Sequence, residues 1–511
     1  MLIRRIPCKV LIVAFSASAS IVCPAATVTF PSTGSDIASA SDWGLESLPE
    51  VSDAVMFKSS KTVTACSDVE FGGLYIGAQG VSVTFDMRDM VSGGSPRKIK
   101  MNGKACIYDG SNANANLWNA SYILRGGFWN FGEYSVGVNP SGVWSGPAGC
   151  SARIDGGAVV TCGQLLGAAI GPNNDRTANI WVSGEGTVVT AGMLKVANDN
   201  GFRNTMTVSD GAKVVLTGSI DAIKLDSATQ SNTSGGNRLI VTNAASVTAE
   251  STNKGFCGAR GNGNCILIYS GAHVSISGYL YFGHTDGNLA NTSVDNQIVV
   301  HGTGSSLSIG TMYHGNAYDV AASAGNSNCV VSVLDGSTVS CGRWNFNGHD
   351  NGIVISNATL TLSSGIKCAT SQRCSLRFQG VRPSFVSTAD VNDYSQLKDG
   401  FKLCYDLPAD GYDGTVEWPF MVSNRTQLDG SLIVEVSGIE GVLAKMKTDG
   451  AHRRTIKLAN FSSGFTANAG ITDAMLESWN AALPEGAAIM FAENKLTLEL
   501  KRKRGMDISF R

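Results

Sequence analysis

The chain has 511 residues, of which 16% are charged and 60 are glycine, and its formal net charge at neutral pH is −2. Soluble domains carry about 25% charged residues on average, so this composition excludes a protein built mainly of solvated helices, and the near-balance of charge excludes a general electrostatic attraction to nucleic acid. The length would fill roughly two to four ordinary domains, yet a repeat architecture can use it all as one body.

Residues 1–26 read as a secretory signal peptide. "MLIRRIPCK" is a basic start, "VLIVAFSASASIV" an apolar middle and "CPAA" a small-residue end suited to cleavage after Ala25 or Ala26. The apolar run is shorter than the ~20 residues that cross a bilayer. The mature chain is therefore expected to be secreted, extracellular or held at the outer cell surface, with no transmembrane segment.

Residues 27–149 are expected to form opening coils, beginning with "DWGLESLPEVSDAVMF". From 150 to 365 one pattern recurs: an alternating apolar strand, a turn, a second alternating strand and a further apolar pair. "MTVSDGAKVVLTGSIDAI" from Met206 and "LIYSGAHVSISGYLYFG" from Leu267 are two copies. The turns are anchored at Gly157, Gly186, Gly211, Ala244, Gly271, Gly304, Gly336 and Asn357. Around each anchor the apolar residues recur at minus five, minus three, plus three and plus five, as in Ile266, Ile268, Val274 and Ile276. Period two means strands. In the Gly304 copy His301 falls on an inward phase. The later pairs, such as Leu280 with Phe282 and Leu194 with Val196, supply a third short strand, so each repeat predicts one coil of a parallel β-helix. "GPNNDRTAN", "DSATQSNTSGGN" and "GHTDGNLANTSVDN" read as loops thrown out at one corner.

Over about residues 27–365 the chain resembles the right-handed parallel β-helix proteins of bacterial surfaces, in particular autotransporter-passenger-like solenoids. Trp43, Pro49, Asp53 and Phe57 are similar to the Trp, Pro and Asp pattern that opens such repeats. The resemblance implies an all-β, right-handed solenoid with three short strands per coil. A membrane barrel is not expected, because residues 366–511 are too short and irregular for its many amphipathic strands. Those residues lose the anchor pattern and read as a smaller β-rich C-terminal domain or cap. It holds one helix near 472–483, with Thr472 as N-cap and Pro484 as the stop.

The motifs of serine hydrolases, zincins, zinc ribbons and nucleotide-binding loops are missing from the sequence, so no catalytic residue, cofactor or metal is expected. Five histidines, His273, His284, His301, His314 and His349, share one stretch, but His273 and His301 differ in phase, and metal ligands must converge on one point. Thirteen cysteines, two of them in the leader, leave an odd number in the mature chain. Cys150 with Cys162, and Cys329 with Cys341, take the same two inward phases of their coils and read either as a disulfide across each coil or as buried thiols. Cys257 with Cys265, and Cys368 with Cys374, would close small surface loops. Trp144, Trp344 and Tyr281 are the aromatic candidates for stacking on sugars, each of which also fits the core.

The functional expectation is a non-enzymatic, adhesin-like binding or structural module whose partners are cell-surface glycans or surface proteins of a host or neighbouring cell. The alternative is a polysaccharide-active lyase or glycoside hydrolase on a pectin-lyase-like fold, for which "GHD" at Gly348 to Asp350 is the faintest hint and the lack of adjacent Asp pairs the objection.

Overall fold

The computed structural model describes residues 26–502 apart from 89–90, 93–94, 104, 108–118, 132–141, 145–148, 168–176, 198–202, 219–221, 226–233, 251–253, 260, 285–292, 316–326, 389–394, 398–399, 409–418, 425, 429–430 and 463–470. Alternation along the strands folds this chain into a β-solenoid. One side is a 14-stranded sheet running from Lys61–Val63 to Ile433–Ser437, and every pairing in it is parallel. The other sides belong to a 24-stranded sheet in which the second and third strands of several coils run into one another, as in Thr338–His349, and stay separate in others, as in Thr359–Leu362 and Ile366–Gln372. Glycine makes that bend possible. A Cβ on Gly310 would lie 2.2 Å from the Ser277 carbonyl oxygen, and one on Gly342 would lie 2.2 Å from that of Gly310.

All eight anchors have positive φ, from 48° at Asn357 to 82° at Gly304 and Gly336. The turn joining first and second strands thus demands the left-handed conformation that glycine adopts freely. The apolar register follows: Met206, Val208, Val214, Ile268, Val274 and Ile276 are all buried. His301 departs from its expected slot. In its coil the turn holds one extra residue, so Ile298 and Val300 point inward while His301 is exposed and pairs with Asp335 at 3.0 Å. A one-residue shift exchanges the two faces of a strand.

At the corner where each coil enters the first sheet stands a buried column that the apolar pattern does not describe. Asn204, Asn237, Asn264, Asn296, Cys329, Asn351 and Cys374 succeed one another in it. Each amide oxygen accepts the backbone N–H of the preceding coil. Asn204 serves Ala178 at 2.7 Å, Asn237 serves Asn204 at 3.1 Å, Asn264 serves Asn237 at 3.0 Å and Asn296 serves Asn264 at 2.9 Å. The corner kinks the strand away from regular pairing, and the side chain supplies the acceptor that a buried N–H requires.

The stack is closed at both ends. At the start, Trp43 packs edge-on against Phe30 and bonds the Ile37 carbonyl, Phe57 is buried beneath them, and the Asp53 carboxylate accepts the N–H groups of Ala26 and Glu50. At the far end the expected boundary at Gly365 is corrected. Parallel pairing continues through Ser375–Gln379, Lys402–Asp406 and Ile433–Ser437, with Ser384–Ser387 and Met421–Asn424 on the second sheet. Beyond Ser437 come helix Ile439–Thr448 and a last parallel strand, Arg453–Ser462 on Met421–Asn424, after which the pairing turns antiparallel, Lys495–Lys501 lying between Arg453–Ser462 and Ala487–Ala492. Helix Asp473–Ala481, capped by Thr472 as expected, sends the Trp479 indole N–H to the Leu432 carbonyl and so covers the last coil.

Two stability changes follow. Ala244 is the one anchor with a β-carbon that neither caps nor accepts a hydrogen bond; it sits at φ 57°. Ala244→Gly should raise the free energy of unfolding by about 0.5–1 kcal/mol, the left-handed strain relieved less the added freedom of the unfolded chain; a urea titration measures it. Asn237→Ala strips the acceptor from the Asn204 N–H and should cost about 1–3 kcal/mol in the same titration.

Candidate binding face

The second sheet turns its outward side chains to solvent in two columns two residues apart. Near the start of the stack these columns form a groove of about 560 Å³, lined among others by Asp68, Glu70, Lys98, Lys100, Phe128 and Asn130. Four strands build it: Val69–Phe71, Lys98–Met101, Phe128–Asn130 and the start of Val159–Leu166, with Lys98 opposite Phe128 and Glu70 opposite Lys100 in register. The alternate residues Val69, Ile99 and Trp129 are buried, so the core fixes the backbone under the groove. Phe128 is 38% exposed, a large apolar ring on the groove floor with Val159 opposite it in register and the charged and amide side chains around them.

The charges in the groove are ordered. Glu70 accepts Lys100 Nζ at 2.7 Å and the Asn102 amide at 2.9 Å. Those bonds, that from Lys100 first, hold its carboxyl below the usual carboxylate range. Asp68 accepts the backbone N–H of Lys98 at 3.0 Å. A second charged cluster, at the turn edge of the first sheet, is paired within itself: Arg125 and Arg153 hold the buried Asp155 at 2.7 and 2.8 Å.

The aromatic candidates divide. Trp344 is fully buried, with its indole N–H on His314, and Tyr281 is only 8% exposed, its ring stacked 5.0 Å from that of Tyr313. Both serve packing. Trp144 lies in strand Gly142–Trp144, and its side chain is outside the described residues. Among the described residues the most exposed rings are instead Phe128, Trp181, Tyr269 and Tyr279.

The histidines do not come together. His273 is exposed and bonds the Ser306 hydroxyl at 2.8 Å, His301 pairs with Asp335, and the His284 side chain is outside the described residues. His349 sits at a strand end, and Asp350 of the "GHD" stretch is held by Arg373. His314 is buried between Phe282 and Phe346. Its Nε2 lies 2.7 Å from the Cys329 carbonyl, which can only accept, so Nε2 carries the proton and Nδ1 receives the Trp344 N–H. Burial pushes its pKa down to about 3. Among the described residues no group of His, Cys, Asp or Glu is placed to hold a metal ion.

Of the two readings of the inward cysteines, Cys329 and Cys341 follow the buried-thiol one. Cys329 is in the corner column, while Cys341 lies at the far end of the second strand, in the inward row of Leu216, Ala249, Ile276 and Ile309. Arg343–His349, roughly 20 Å long when extended, spans the side between those positions, far beyond disulfide reach. Cys329 and Cys341 are separate thiols. The first has its sulfur 3.5 Å from the Ser293 carbonyl, the second 3.0 Å from that of Arg343, and burial pushes them up to about 11 and about 12. Cys150 and Cys162 occupy the same two rows. Cys257, Cys368 and Cys374 are buried rather than on surface loops, while Cys265 begins an outward row. Cys368 and Cys374 face inward on the two sides of one corner.

"DSATQSNTSGGN" and "GHTDGNLANTSVDN" both leave the second sheet and return to the first at the same corner, although 226–233 and 285–292 lie outside the described residues. No helix among the described residues is long and apolar enough to cross a membrane. Comparison with protein-family models, curated proteins and solved structures found no match for this chain.

His314 makes stability depend on pH. Its folded pKa is depressed, so below about 6.5 the unfolded chain takes up a proton that the folded chain refuses, and stability falls with pH until about 3. Between about pH 7 and 4.5 the parent should lose roughly 2–3 kcal/mol more than His314→Phe, as read by urea titrations at the two pH values.

Proposed function

We propose that this chain is an exported, surface-held solenoid that binds carbohydrate without cleaving it, in the manner of an adhesin. The observation that carries the reading is the groove around Phe128. An exposed ring takes the apolar C–H face of a sugar, while Asn130, Lys98 and the Glu70–Lys100 pair offer donors and acceptors to its hydroxyls. The leader at residues 1–26 supports export, and cell-surface glycans are the partners this chemistry fits.

A polysaccharide-active enzyme is the second reading, and the same groove supplies its best argument. Asp68 and Glu70 stand two residues apart on one edge, hence roughly 7 Å apart, a spacing open to water-assisted displacement. The difficulty is the proton. A general acid needs a carboxyl that stays protonated near neutral pH, and Glu70 is pushed the other way by Lys100 and Asn102. Glu70 is therefore poorly suited to protonate a leaving oxygen.

Phe128→Ala should weaken glycan binding about 10- to 100-fold, the value of one buried aromatic side chain, and leave the thermal midpoint nearly unchanged, as read on a glycan array and by calorimetry. Release of reducing ends or unsaturated sugars from any polysaccharide by the purified chain would overturn the non-catalytic reading.

A further inference from the structure

The groove is the start of a longer feature. By register, Lys98, Phe128 and Val159 continue into Val188, Lys213 and Ser246, and the second column runs from Lys100 through Asn130, Thr161, Thr190 and Val215 to Thr248. From Ser246 to Thr361 every outward position of the two columns is serine or threonine except His273. The last three coils show it fully: Ser306 with Ser308, Thr338 with Ser340, and Thr359 with Thr361. All are at least partly exposed, while Leu307, Val339 and Leu360 between them are buried. Between Val159 and Thr361 the only formally charged side chain in either column is Lys213.

Physically this is a flat mesh of hydroxyls, roughly 4.8 Å apart along the axis and roughly 6.6 Å apart across it. Each hydroxyl both donates and accepts. Short side chains on a rigid sheet have little freedom to lose on binding. One sugar ring in an extended chain is about as long as one coil step, and the two columns are about as far apart as a ring is wide. Between Val159 and Thr361 an anionic polymer would find only Lys213 as a cation in the two columns, the other lysines, Lys98 and Lys100, lying at the groove itself.

We infer that the ligand is an uncharged polysaccharide that lies along the solenoid axis, seated at the groove by Phe128 and followed down the sheet by the hydroxyl columns, so that affinity accumulates with chain length. This rests on the carbohydrate-binding reading of the groove.

The test uses the full chain, neutral glucans, mannans and xylans with their oligomers from dimer to dodecamer, and polygalacturonate. Titration calorimetry should show affinity for the accepted neutral series rising at least tenfold from trimer to dodecamer. Paired Ser308→Asp and Ser340→Asp substitutions should remove that rise and leave trimer affinity within twofold, while Ser308→Thr keeps it. Three results overturn the inference while the groove reading stands: trimer and dodecamer binding alike, the paired variant binding dodecamer at parental affinity, or polygalacturonate preferred over every neutral polymer. No binding to any of these polymers, by a chain whose melting curve is cooperative, would sink both.

Discussion

Each coil of this protein completes the backbone hydrogen bonds of the next, and the fold depends on that dependence. A strand such as Met206–Val208 has no partner within its own coil; its N–H and C=O groups are met only by the strands at Asn179–Ser183 above and Arg238–Val241 below. Its inward side chains are likewise covered only by those of neighbouring coils. Two ends are therefore left over, and the chain treats both as special: an aromatic plug of Phe30, Trp43 and Phe57 at one, an antiparallel hairpin and two helices at the other. Bare ends would offer unpaired edges to other chains.

The same dependence explains why polar residues are admitted to the interior. Where the strand kinks at the corner, regular pairing stops, and an asparagine oxygen takes over as acceptor for the coil above. Cysteine can stand in the column because it is small and apolar, but it accepts poorly, and the flanking groups adjust. The Cys329 N–H is met by the Asn351 side chain, and the Asn296 amide turns to the Ser293 hydroxyl at 3.1 Å. His314 is a second solution, a ring with one donor and one acceptor, each matched. Burial keeps it neutral.

Most of the architecture was legible in the chain because it is written in local terms. The left-handed turns at Gly157, Gly211 or Gly336 and the alternation around them are properties of ten or so consecutive residues. What was misread involved counting or neighbours far apart in sequence. His301 was placed inward because one added turn residue is invisible to a fixed offset. The stack was ended at Gly365 because later coils use different turn chemistry, although Leu376, Phe378, Leu403 and Tyr405 keep the inward alternation. The corner column is legible only in part: Cys150 and Cys329, seven residues before their anchors, read as inward by being apolar, while Asn204, Asn237 and Asn264 at that same offset read as polar turn residues. The cysteine pairing failed for a related reason, since a shared inward phase says nothing about which side of the coil a residue occupies.

The groove was beyond reach of such reading. Glu70, Lys100 and Asn130 become neighbours only through register, and the coil lengths that set it vary irregularly. Once register is known, the face acquires a simple logic. The strand period places alternate residues outward at no cost to the core, so the outward columns are free to carry whatever chemistry a ligand selects. Near the start they carry a ring, an amide and paired charges, and further along little but hydroxyls. The interior changes as well, from a cluster of Phe57, Phe85 and Trp129 drawn from both sheets to a column of Val247, Val274 and Leu307, yet the backbone spacing on the outside stays constant. A solenoid thus separates what must be uniform, the hydrogen-bonded step, from what can vary, the outward side chain, and a long repetitive ligand is the kind of partner that such a constant step can match.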